Sequence, residues 1–124
     1  MIVGIGLDVV EVGKVRELLA GQQTFEERVF TPAERRDCAG RADRADALAA
    51  RFAAKEACFK ALGTGWSQGV SFLQVEVQPG DGGAPRLALS GQAAERARMR
   101  GVKHLHVSLT HSAGVAAAAV ILEG

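Results

Sequence analysis

The 124-residue chain contains no tyrosine, one tryptophan and five phenylalanines, so aromatics are only 5% of it. Its core must be built mostly from Val, Leu and Ala, and an aromatic platform for stacking nucleotide bases is not expected. Cysteine is as scarce. Cys38 and Cys58 stand twenty residues apart with no CxxC or zinc spacing, and a single bridge would be no disulfide framework. Both read as reduced thiols of a cytoplasmic protein. No apolar run reaches the ~20 residues that cross a bilayer, so no membrane association is expected, and the N-terminus lacks the positive charge of a secretory signal. Nor does one sign of charge dominate: 15 Lys and Arg face 14 Asp and Glu, a net +1. That disfavours a dedicated nucleic-acid binder, which needs a large positive field to hold a phosphate backbone.

What remains is an ordinary soluble composition, 48% hydrophobic and 23% charged. It is too apolar for a disordered chain and of a size for one domain over residues 1–124. From Met1 to Glu11, Val3, Ile5, Leu7 and Val9 alternate with Gly4, Gly6 and Asp8, the period of a strand. Glycine weakens a strand unless something must come close to its backbone, so Asp8 stands on a face cleared of side chains. A short helix is expected from Val12 to Leu19, exposing Lys14 and Arg16 and ending at Gly21. Phe25 to Phe30 has no clear period. Thr31-Pro32-Ala33-Glu34 has the form of a capping box with Pro at the first helical position, and predicts a helix to about Ala39.

Gly40 to Asp46 is either a turn or the start of the next helix. That helix, the longest, is predicted from Asp46 to Leu62, with Leu48, Phe52, Phe59 and Leu62 as its apolar stripe and Gly63 as its stop. A strand from Phe72 to Gln78, a turn at Asp81-Gly82-Gly83 and a strand from Arg86 to Ser90 follow. Next come an Arg-rich helix from Gln92 to Arg100 and two strands, Leu105 to Thr110 and Val115 to Leu122, joined through residues 111–114. Helices mixed with antiparallel strands predict an α+β fold, a mostly antiparallel sheet packed with one long central helix.

Three groups of residues carry chemistry. On the long helix, Glu56 lies about 40° from Phe52 and about 60° from Phe59, at the border of the buried stripe. Lys60 follows one turn on, in the favourable Glu-then-Lys order. The pair is either a surface ion pair or part of a site. Asp8 bears on the choice, because a carboxylate in an apolar strand is costly to bury unpaired. Lys or Arg could partner it, and so could a divalent cation shared with a second carboxylate. Mg²⁺ suits such a pair, since it keeps waters and takes further ligands from substrate phosphates. Glu11 is either a third oxygen donor or a residue favouring the dipole of the first helix.

His104, His106, Ser108 and Thr110 share one face of their strand, which is either simply solvated or a hydrogen-bonding wall for an anionic group. Gly63-Thr64-Gly65 is either a helix cap or a loop beside a ligand. It is not the phosphate loop ending in Gly-Lys-Ser or Gly-Lys-Thr, and no GxGxxG opens a helix.

Three blocks, Gly4-Ile5-Gly6-Leu7-Asp8-Val9-Val10-Glu11, Arg51-Phe52-Ala53-Ala54-Lys55-Glu56-Ala57 continuing into Lys60-Ala61-Leu62-Gly63-Thr64-Gly65, and His106-Val107-Ser108-Leu109-Thr110-His111, together resemble holo-[acyl-carrier-protein] synthase. This is the small bacterial class of 4'-phosphopantetheinyl transferases. Thr31-Pro32-Ala33-Glu34 is also similar to the family's Leu-Thr-x-x-Glu segment. The resemblance implies an enzyme that transfers the phosphopantetheine arm of coenzyme A to a serine of apo acyl carrier protein, releasing adenosine 3',5'-bisphosphate, in fatty acid biosynthesis. It implies a homotrimer with coenzyme A held between subunits, Asp8 and Glu56 as Mg²⁺ ligands and Lys60 near the reacting phosphate. Arg51, His106 and Thr110 would line the coenzyme A site, with Gly63, Thr64 and Gly65 beside the nucleotide. The basic residues Lys14 and Arg16 on the first helix would receive the acidic carrier.

The chain departs from the family at Lys14, where Arg is common, at Gly13 in the docking helix, and at Gly83-Ala84-Pro85, which replaces Gly-Lys-Pro. The nucleophile would be the carrier's serine, so no Ser/His/Asp set is expected here; Glu56 or a metal-bound water is the candidate base. Two other readings are a transferase for polyketide or peptide synthetase carriers and a non-catalytic trimeric scaffold binding a carrier or a nucleotide. The transferases for synthetase carriers form a class of roughly twice this length, and a scaffold has no use for Asp8, Glu56 and Lys60 together.

Overall fold

One helix organises the chain. The structure, a computed structural model, describes residues 1–21, 23–65 and 69–124. In order it has β1 (Ile2–Glu11), α1 (Val12–Gly21), α2 (Gln23–Val29), α3 (Pro32–Cys38), α4 (Arg44–Leu62), β2 (Val75–Pro79), β3 (Pro85–Leu89), α5 (Gly91–Met99), β4 (His104–Ser112) and β5 (Val115–Glu123). Strands β1, β5 and β4 form one antiparallel sheet in that order, and β2 and β3 form a second antiparallel pair. The α+β class is as expected.

Several boundaries differ from expectation. The long helix begins at Arg44, two residues early, and the unassigned Phe25 to Phe30 segment lies within and just beyond α2. Phe72–Gln74 is a turn of 3-10 helix rather than strand, so β2 starts only at Val75. The last hairpin turns on two residues, Ala113 and Gly114, both with positive φ, the geometry that matches the twist of paired strands. His111 therefore stays in β4, and its ring faces the Asp46 carboxylate at 3.6 Å. The capping box forms as read: Glu34 N–H donates to Thr31 Oγ1 and Thr31 N–H donates to Glu34 Oε1.

The apolar stripe expected on α4 is too narrow. Leu48, Phe59 and Leu62 are buried, but so are Ala47, Ala49, Ala50, Ala53, Ala54, Lys55, Ala57, Cys58 and Ala61. The helix is enclosed on two sides, and its alanines let both layers come close. On one side lies the β1-β5-β4 sheet. A Cβ on Gly6 would stand 1.8 Å from the Ala57 carbonyl oxygen, and one on Gly4 would stand 2.3 Å from that of Ala61. What approaches the glycine face is therefore the helix backbone itself.

On the other side, Lys55 is fully buried. Its ammonium donates to Glu34 Oε1 at 2.7 Å, Phe72 O at 3.1 Å and Val75 O at 2.6 Å. Phe52, Phe59, Phe72 and Phe25 pack nearby with ring centroids 5.3–6.0 Å apart.

With its glycines turned inward, β1 turns its large side chains outward. Ile5, Leu7 and Val9 are 60–68% exposed. An antiparallel sheet with one solvated face normally puts polar residues there. Here they are concentrated on β4, where His104, His106, Ser108 and Thr110 are exposed and Leu105, Val107 and Leu109 face inward.

Candidate active site

Asp8 is the next inward residue after Gly4 and Gly6, so the seating of α4 on the glycines carries it alongside the last two turns of the helix. There Lys60 Nζ donates to Asp8 Oδ1 at 2.9 Å and to the Leu7 carbonyl at 3.0 Å. Glu56 lies one turn back, about 40° round the helix from Lys60. Burial and then the Asp8 charge push its carboxyl above the usual range, while Lys60 pulls the other way. The structure thus brings together Asp8, Glu56 and Lys60, residues far apart in the chain.

Two carboxylates against one ammonium leave an excess of negative charge in a half-buried site. Oxygen donors with such an excess suit a hard divalent cation. Glu11 is not part of the set. At an odd position of β1 it points to the opposite face from Asp8, and it sits 3.7 Å from Lys14. Among the described residues no three His, Cys, Asp or Glu side chains converge on one metal position.

An apolar groove of about 440 Å³, lined by Val9, Val10, Glu11, Lys14, Val15, Leu18 and Phe52, opens beside this trio. It lies there because Val9 and Val10 follow Asp8 in β1 and Phe52 is one turn before Glu56 in α4. Lys14 stands on its rim. Arg16 lies 3.6 Å from Asp46.

The remaining expected site residues lie elsewhere. Arg51 is about 180° round α4 from Lys60. It lines a cleft of about 340 Å³ with Arg41, Gln78, Gly83, Pro85 and Leu109, between the β2–β3 hairpin and β4. Its Nη1 donates to Ala47 O at 3.2 Å, while its buried Nε meets no hydrogen-bond partner among the described residues. His106 and Thr110 are on the outer face of β4, with His106 Nε2 3.0 Å from Glu123 Oε1. Gly63, at φ 76°, caps α4, its N–H and that of Thr64 returning to carbonyls of the last turn.

Comparison with known proteins settles the family. The model of the 4'-phosphopantetheinyl transferase superfamily matches residues 4–120. The chain belongs to that superfamily. A holo-[acyl-carrier-protein] synthase of Anaeromyxobacter sp. (strain K) is 56% identical over 128 residues, covering 100% of this chain and 98% of the relative. The structure of the Neisseria meningitidis synthase superposes with a TM-score of 0.89 at 30% identity, covering 100% of both chains. That of the Helicobacter pylori synthase in complex with coenzyme A superposes with a TM-score of 0.83 at 31% identity, covering 96% of this chain and 99% of that one.

Within this transferase fold, sequence reasoning missed Arg41, Lys55 and Glu34. Arg41 sat in a stretch rich in Arg, Ala and Asp that could be turn or helix, with nothing to set it apart from solvated arginines. Lys55 and Glu34 left one signal: Lys55 is about 60° from Phe52 on the side of Leu48 and Phe59, where a lysine needs a buried partner.

Proposed function

We propose that this chain is a Mg²⁺-dependent holo-[acyl-carrier-protein] synthase. It takes coenzyme A and apo acyl carrier protein, joins the 4'-phosphopantetheine arm to a carrier serine and releases adenosine 3',5'-bisphosphate. The observation that carries the reading is the convergence of Asp8, Glu56 and Lys60 beside an apolar groove in a chain of this superfamily. Phosphoryl transfer needs positioning and charge neutralisation more than covalent help. Asp8 and Glu56 would hold the Mg²⁺, which when bound supplies Lewis-acid neutralisation of the pyrophosphate. Lys60 places a fixed positive charge where the leaving group becomes negative. Glu56, made more basic by burial and by the Asp8 charge, is suited to accept the serine proton. The whole of residues 1–124 acts as one catalytic domain.

The Arg41–Arg51 cleft is on the far flank of α4 from Lys60, and we read one ligand as held by both through two neighbouring copies, as the resemblance to the trimeric class implies. The apolar outer ridge of Ile5, Leu7 and Val9 fits that arrangement, because an exposed patch of this kind marks a contact surface. Beside the ridge a shallow trough runs over Ala117 and Ala119 to Ser108 and Thr110. A ridge docking into the next copy's trough is a head-to-tail contact, the kind from which rings are built when the rotation closes. From the resemblance to the trimeric class, we read the enzyme as a homotrimer in the cytoplasm. Its coenzyme A is gripped by Asp8, Glu56, Lys60 and the Gly63–Gly65 cap of one subunit and by Arg51, Arg41, His106 and Thr110 of the next. Lys14, on the rim of the apolar groove, and Arg16 on the same helix receive the carrier.

The test is intact-mass measurement of purified apo acyl carrier protein incubated with the chain, coenzyme A and Mg²⁺. Gain of the phosphopantetheine mass is expected, with loss of the gain on chelation. An unchanged carrier mass overturns the reading.

A further inference from the structure

Lys55 stands immediately before Glu56 and faces away from the site, yet its ammonium makes three bonds in the interior. It and Glu34 are both fully buried. Besides the three bonds from Lys55, Glu34 Oε1 accepts from Thr31 N–H at 2.9 Å and Glu34 Oε2 from Val77 N–H at 2.8 Å. One ion pair thereby joins the start of α3, the Phe72–Gln74 turn, β2 and the middle of α4. Burying such a pair is a poor way to gain stability, since an apolar pair of similar volume commonly does as well or better. What the pair adds is direction.

The α4 surfaces meeting the sheet are mostly alanine, and short side chains give a helix little to stop it turning or sliding. Directional bonds to three fixed acceptors do stop it. Lys55 lies about 160° round the helix from Ala57, whose carbonyl rests on Gly6. Glu56 falls between these two grips.

Building on the function read above, we propose that the Lys55–Glu34 pair is a positioning device, fixing the height and rotation of α4 so that Glu56 faces Asp8. The test compares Lys55→Met with Glu34→Gln/Lys55→Met. The single variant leaves a bare carboxylate buried, and a collapse of its thermal midpoint is expected. In the double variant no bare charge stays buried and the amide oxygen of Glu34→Gln still serves the capping box, so the midpoint recovers part of the loss, short of the wild type because Val77 N–H loses its acceptor. Its kcat nevertheless stays about 10²-fold low, the cost of roughly 1 Å of misplacement, with an unchanged KM for coenzyme A. Its affinity for Mn²⁺, titrated by electron paramagnetic resonance, falls about 10- to 100-fold, as when a group supporting a metal ligand is lost.

A refolded double variant with wild-type kcat and Mn²⁺ affinity overturns the proposal, and so does a change confined to the KM for coenzyme A. A double variant that does not fold overturns it too, because the pair would then be holding the fold and not the site. A crystal structure of the double variant decides independently of any activity: Glu56 displaced from Asp8 supports the proposal, and Glu56 in place refutes it. Failure of the function read above shows instead as a wild type that transfers nothing.

Discussion

Gly6→Ala adds one methyl group at the closest approach of strand and helix. Its Cβ would sit 1.8 Å from the Ala57 carbonyl oxygen and 2.9 Å from the Ala61 nitrogen, where ordinary contact begins at 3.4 Å. Both obstacles are backbone, so no side chain can rotate away, and β1 and α4 must separate by about 1.5 Å. Overpacking of this kind costs about 1–3 kcal/mol, and a rigid obstacle puts it at the upper end. For a domain of this size that is a fall of about 10 °C in the thermal midpoint, read by circular dichroism. The same displacement moves Asp8 off Lys60 and Glu56, so transfer to apo carrier protein, followed by mass, should drop by about 10²-fold or more. Gly13→Ala is the control. Nothing lies within 4 Å of its Cβ position, and it is the second residue of α1, so the change should be neutral or stabilising by at most about 0.5–1 kcal/mol, the mid-helix figure. If Gly6→Ala keeps the wild-type midpoint and turnover, strand and helix are not locked together and the account of how Asp8 is placed is wrong.

Glu56→Gln should abolish transfer yet raise the thermal midpoint of the metal-free protein at neutral pH. Burial and Asp8 lift the Glu56 carboxyl above 4.5, so the folded state is favoured while that group is protonated and loses this contribution as pH rises through its titration. The gain of the variant should disappear below about pH 4; a gain independent of pH would contradict the assignment. Asp8→Ala and Arg51→Ala should each be nearly inactive alone, but co-refolded together should regain measurable turnover, because some interfaces combine two intact halves. No recovery in mixed oligomers would place both halves within one subunit. Charge reversal at Lys14 and Arg16 should raise the carrier's KM about three- to tenfold and flatten its salt dependence, with the KM for coenzyme A unchanged. A loss of coenzyme A affinity instead would assign that helix another role.

Much of this was legible along the chain. The capping box at Thr31, the stop at Gly63 and the period-2 glycines of β1 are local signals, and each appears where it was read. Asp8 was legible because a carboxylate in an apolar strand is costly unpaired, and Glu56 and Lys60 because they stand one turn apart at the border of the buried stripe. What failed was whatever depends on a second layer. The exposure of Ile5, Leu7 and Val9 contradicts the usual sense of an alternating strand, and only the packing of α4 on Gly4 and Gly6 decides which face turns in. The depth of α4 was hidden by its alanines, whose small side chains fit a buried or an exposed face equally well. Glu34 looked complete as a capping residue, and its second oxygen, on Val77, is a tertiary choice.

The two sides of β1 answer to different judges. A slip of one residue against β5 would exchange them, driving leucine and isoleucine side chains against the carbonyls of Ala57 and Ala61 and swinging a carboxylate out among bulky hydrocarbons. Neutral drift therefore has little room in the first eleven residues: an insertion or deletion there damages both sides at once, while single replacements are filtered by whichever side they fall on.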